Sequence, residues 1–87
     1  MTKQDAKLYG QSVASDILRY GDFTTEEKND VDLFNDAFWQ IVDNRSQYTE
    51  FSFFAAEVNK SKKSDLLWDS YNSGMIEVLT AYELKMF

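Results

Sequence analysis

The chain has 87 residues, 15 Asp and Glu against 9 Lys and Arg, and a formal net charge of −6. It contains no cysteine and no histidine, which removes disulfides, thiolate zinc sites and imidazole chemistry and suits a reducing cytoplasm. The negative charge argues against nucleic acid or anionic lipid as a direct ligand, and no apolar run approaches the ~20 residues of a membrane span.

The length supports one domain, residues 1–87, near the lower limit for a single hydrophobic core. Seven Phe, five Tyr and two Trp must supply much of that core. Proline is absent and glycine occurs only at Gly10, Gly21 and Gly74, so helices can run long. The first segment, about Gln4 to Tyr20, repeats Ala6, Tyr9, Val13, Ile17 and Tyr20 at three- and four-residue steps, the period of one helix face. Thr2 with Asp5 can cap it, and Gly21 falls where a glycine C-cap belongs. The second segment starts at Thr24, whose Glu27 completes a capping box. One helix from there to about Val42 buries Val31, Phe34, Ala37, Phe38, Ile41 and Val42. Asp43-Asn44-Arg45-Ser46 then reads as a turn.

The third segment, about Gln47 to Asn59, offers Phe51, Phe54, Ala55 and Val58 at i, i+3, i+4 and i+7. Its aromatics would suit a strand, but the apolar positions do not alternate, so helix is the better reading. Lys60-Ser61-Lys62-Lys63 is a basic connector at a helix C-terminus. The last segment, from Ser64 to near the end, carries Trp68, Tyr71, Met75, Val78 and Tyr82 at heptad-like spacing. Gly74 inside it opens a break near Asn72-Ser73-Gly74. The fold class is all-α, a small bundle of three to four helices.

Between residues 22 and 57 stand nine carboxylates and only two bases, Lys28 and Arg45, a local charge of −7. At about 100° per residue, Asp32, Asp36 and Asp43 gather opposite the apolar stripe, roughly 6 Å and 10 Å apart along the axis. That is the order of the separation between neighbouring phosphates on a nucleic-acid strand. Asp22, Glu26 and Asp30 extend the row at four-residue steps, and Glu50 and Glu57 align on the next helix. A solvated face is the plain reading of such acids, but soluble helices usually mix Glu with Lys at i, i+4, and Lys28 is the only base between residues 20 and 44. A surface for a basic partner is the alternative. Asp30 to Asp36 faintly resembles a calcium loop but lacks the glycine at its sixth position. Glycine-rich phosphate loops, nucleophile elbows and Ser/His constellations are missing. No metal, no cofactor and no enzyme activity are expected.

Trp39 lies beside the acidic face and Phe53 sits between Glu50 and Glu57. Each is either half-buried against a neighbour or an interface anchor. The seam of Trp68, Tyr71, Met75, Val78 and Tyr82 either packs inside the bundle or pairs with a second copy in a homodimer.

Asp36-Ala37, five residues, Asp43-Asn44 and then Tyr48, together with Arg19-Tyr20, Asp22 and Asp32-Leu33, resemble the Ocr family of phage anti-restriction DNA mimics over residues 15 to 58. The resemblance implies an all-helical, dimeric mimic of B-form DNA that occupies the DNA groove of host restriction or related enzymes. Lys60, Lys62 and Lys63 depart from it and suggest a narrower acidic patch than a full duplex mimic. The expected function is a phage-type inhibitor that works in the host cytoplasm and binds a nucleic-acid-handling protein through Asp22, Glu26, Asp30, Asp32, Asp36, Trp39, Asp43, Glu50, Phe53 and Glu57. The alternative is a small dimerising regulatory or structural module with a merely solvated acidic face.

Overall fold

The computed structural model describes all 87 residues. It contains α1 (Lys3–Tyr20), α2 (Thr25–Asn29), α3 (Val31–Asn44), a 3-10 turn (Arg45–Gln47), α4 (Thr49–Lys60) and α5 (Ser64–Met86). The fold is all-α, with five α-helices where the periodicity suggests three or four. The extra helix arises at Asp30.

Local sequence sets the helix starts. Thr2 N donates to Asp5 Oδ2 at 3.0 Å and Asp5 N donates to Thr2 Oγ1 at 3.1 Å, so two otherwise unpaired donors at the start of α1 are satisfied. The same reciprocal pair joins Thr24 and Glu27 at 2.7 and 3.2 Å. The helix it starts does not continue to Val42, however. Asp30 adopts an extended backbone with φ −137° and ψ 113°. Its Oδ1 accepts from Asp32 N at 3.0 Å and Leu33 N at 3.3 Å. A short carboxylate that caps the next helix competes with continuation of its own, and α2 ends after five residues. Gly21 does occupy the C-cap position of α1, but with φ −69° it does so without the left-handed conformation of a glycine cap. The turn expected from Asp43 is displaced, since α3 runs to Asn44 before the 3-10 turn.

α5 is unbroken across Gly74. A Cβ at Gly74 would overlap the carbonyl oxygen of Lys7, and one at Gly10 would overlap that of Tyr71. Two missing side chains therefore bring the backbones of α1 and α5 into contact, which explains a mid-helix glycine that otherwise costs about 1 kcal/mol against Ala. The direction of this pair follows from the aromatic contacts. Tyr9 in α1 is 5.8 Å from Tyr71 in the first third of α5. Phe23, just past α1, stacks on Phe34 at 4.4 Å, and Phe34 meets Tyr82 and Phe87 at 5.3 and 5.7 Å at the far end of α5. The two long helices run parallel.

α3 and then α4 return along α5 in the opposite direction. Asn35 Nδ2 donates to Glu83 Oε1 at 2.9 Å, while Phe51 and Phe54 meet Trp68 and Tyr71 nearer the start of α5. The 23 residues of α5 span about 35 Å of the molecule's 42 Å length. The largest fully buried side chains are Phe34, Phe38, Ile17, Leu67, Met75 and Val58.

The seam of α5 is filled from within the chain. Tyr71 and Met75 are buried, and Trp68, Val78 and Tyr82 pack half-buried against the core. Internal packing therefore accounts for the burial of Tyr71 and Met75 in this seam. Two positions of the expected stripes are exposed instead: Tyr20 at 74% and Val31 at 39%, because each stands at a helix end beyond its neighbours' reach. Replacing Gly74 by Ala is expected to lower the unfolding free energy by about 1–3 kcal/mol through overpacking, against the ~1 kcal/mol gain helix propensity alone would bring. Urea titration followed by circular dichroism checks the sign.

Candidate partner-binding surface

The acids divide according to what the folded chain does with them. The carboxylates of Asp5, Glu27 and Asp30 accept backbone N–H bonds at helix starts. Glu77 is held by Lys7 Nζ at 2.8 Å, the only ion pair in the molecule, and by Gln11 Nε2 at 2.9 Å. These two donors hold the Glu77 carboxyl below its usual range, and the Thr2 backbone and hydroxyl do the same for Asp5. Glu83 is tied to Asn35. Asp32, Asp36, Asp43, Glu50 and Glu57 are exposed and have no cationic partner.

The break at Asp30 corrects the expected row. Asp22 lies in the coil before α2, Glu26 lies on α2, and Asp30 is spent on capping α3. These three are not successive turns of one helix, and they do not extend the line of Asp32, Asp36 and Asp43. That trio does share the face of α3 opposite buried Phe34, Ala37 and Phe38. Glu50 and Glu57 sit on α4, and Glu50 adds to the upward shift that burial gives the Tyr9 phenol of α1. They stand on a different helix from Asp32, Asp36 and Asp43, across the 3-10 turn.

The aromatics of the surface behave differently from each other. Trp39 is half-buried with its ring edge-on to Phe38 at 5.1 Å, whereas Phe53 is 70% exposed. Yet each stands three residues after one carboxylate and four before the next: Asp36-Trp39-Asp43 and Glu50-Phe53-Glu57. On a helix those spacings set the ring between two acids. The shared arrangement is legible in the sequence once both helices are aligned on their acids.

Arg45 stands at the junction of α3 and α4. Its guanidinium lies over the Tyr48 ring at 5.4 Å, and its charge partly offsets the raised phenols of Tyr9 and Tyr71. Tyr9 stacks on Phe54 at 4.1 Å in a box with Tyr71 and Trp68 that the sequence reading did not assemble. Burial pushes the Tyr71 phenol up to about 12, with the neighbouring Tyr9 adding to the shift.

The structure contains no pocket and no group of three His, Cys, Asp or Glu placed to hold a metal ion. No helix is long and apolar enough to cross a membrane. No family model, curated protein or solved structure matches the chain.

The unfolded Tyr71 phenol ionises near pH 10 and the folded one near 12, so between these values the unfolded chain has lost a proton that the folded one keeps, and stability falls as pH rises through that window. Urea midpoints at pH 9 and pH 11.5 are expected to drop less in Tyr71→Phe than in the wild type.

Proposed function

We propose that the protein is a helical binding protein that offers an acidic surface to a basic surface of a DNA- or RNA-handling protein, in the manner of a phage-encoded DNA-mimicking inhibitor. The observation that carries this reading is the face of α3, where Asp32, Asp36 and Asp43 stand exposed without a cationic partner. Self-repulsion makes such a face costly to maintain, and a cationic partner turns that cost into attraction. Glu50 and Glu57 widen the surface onto α4. Asp22 and Glu26 add field strength without contributing to the row, and Asp30 contributes least because its carboxylate is engaged in the cap. The resemblance to the Ocr family points to the same partner class. The chain works on this reading by occupancy, without a catalytic group or cofactor.

A dimerising regulatory module is the second reading. The exposed Ile76 and Leu84 on α5, at 50% and 81%, favour it, although the seam of Trp68, Tyr71, Met75, Val78 and Tyr82 is already used inside the chain.

Capture of partners from a cell lysate by the tagged protein tests the first reading. Basic nucleic-acid-binding proteins are expected in the eluate, displaced by added DNA and weakened as salt rises, because exposed charges are screened within ~8 Å at physiological ionic strength. The variant Asp32→Lys, Asp36→Lys, Asp43→Lys is expected to keep its helical circular dichroism and lose these partners. Undiminished capture by that variant would overturn the reading.

A further inference from the structure

The bond between Asn35 of α3 and Glu83 of α5 marks a line where these antiparallel helices meet at the surface. One turn from Asn35 in either direction stand Val31 and Trp39. Along α5, Phe87 lies one turn after Glu83 and Ile76 two turns before it, on the same side of the helix. Val31 is 39% exposed, Ile76 50% and Phe87 47%, and Trp39 is half-buried. Leu84, also exposed, stands about 100° around α5 from Glu83, on the side of Glu77 that binds Lys7 of α1, and lies outside this border. The two helices therefore border one surface strip that is apolar along much of its length. Its α3 margin is Asp32 and Asp36, one step around the helix from Val31 and Asn35, with Asp43 one turn beyond Trp39.

We infer that this strip is the seat of a basic amphipathic helix presented by the partner, with apolar side chains on Val31, Trp39 and Ile76 and Lys or Arg side chains over Asp32, Asp36 and Asp43. The inference rests on the reading of the α3 acids as a contact surface and adds what that surface binds. Charge selects the occupant. A second copy of this chain would bring its own three carboxylates and a net charge of −6 against the same margin, and the two acidic rows would repel. A cationic helix places opposite charge there and covers the apolar groups at the same time, in the helix-in-groove mode with anchors at i, i+3, i+4 and i+7. Acids alone would serve a flat polyelectrolyte contact. The apolar strip beside them is what a helix with one greasy face requires.

The test uses the full chain and an 18-residue peptide of Leu and Lys arranged as an amphipathic helix, fluorescently labelled, beside a scrambled peptide of the same composition. Anisotropy titration is expected to show at least tenfold tighter binding of the amphipathic order than of the scrambled one. The variant Val31→Ser, Ile76→Ser changes only exposed side chains, so its circular dichroism should match the wild type, and it is expected to lose at least tenfold in affinity for the amphipathic peptide alone. Equal binding of both peptides, or an unchanged affinity in the serine variant, overturns the strip while leaving the acidic surface intact. An unchanged affinity in Asp32→Lys, Asp36→Lys, Asp43→Lys overturns the acidic reading itself. If sedimentation equilibrium shows a wild-type dimer that the serine variant turns into a monomer, the strip belongs to a second copy and the proposal is wrong.

Discussion

The contact between the backbones of α1 and α5 at Gly10 and Gly74 is the constraint on which the remaining architecture depends. Side chains normally keep helix axes 8–10 Å apart, and a pair of glycines removes that spacer where the two longest helices cross. Because these helices run parallel, the chain must travel back along the whole length of α5 before starting it. Residues 21–63 make that return, and they make it as α2, α3 and α4. The return path thereby covers the flank of α5 that α1 leaves free, with Phe34 and Tyr82 closing one end and Phe54, Trp68 and Tyr71 the other. In a chain this short, large rings are what fill the space between so few helices.

That return path is also where the negative charge lies. The outward side of α3 has no helix over it, so Asp32, Asp36 and Asp43 face solvent with no base in reach. Their positions along the helix are not equivalent. Asp32 is in the first turn of α3 and gains from the positive end of the helix dipole, whereas Asp43 stands in a last turn that carries no basic residue and opposes it, each effect amounting to about 0.3–1 kcal/mol. A face chosen for stability would place Lys or Arg at position 43. On the proposed function, the acid there serves contact with a cation outside the chain.

Features encoded by neighbours in sequence were legible. The Thr2–Asp5 and Thr24–Glu27 caps, the buried stripe of Phe34, Ala37 and Phe38, and the common face of Asp32, Asp36 and Asp43 need only the period of one helix. Features that depend on a choice between two local conformations were not. Asp30 continues an acidic row if the helix runs on and ends that row if its carboxylate caps the next one; the backbone takes the second course. Features that depend on pairing were hidden altogether. Gly74 reads as a weakness until Gly10 is placed opposite it, and the seam of α5 leaves internal packing and a dimer face both open until α1, α3 and α4 are laid along it. The apolar strip between α3 and α5 becomes visible only when Asn35 is found against Glu83.

On the proposed function, α3 holds its acids at a cost to the fold, as a surface for a cation that the chain does not itself supply. The unfolding free energy of Asp36→Asn, Asp43→Asn relative to the wild type, measured by urea titration at low ionic strength, tests this most directly. The account expects the neutralised protein to be more stable by about 0.5–1 kcal/mol, with the difference shrinking in 1 M NaCl as the charges are screened. A variant no more stable than the wild type would mean that these carboxylates cost the fold nothing, and it would contradict the claim.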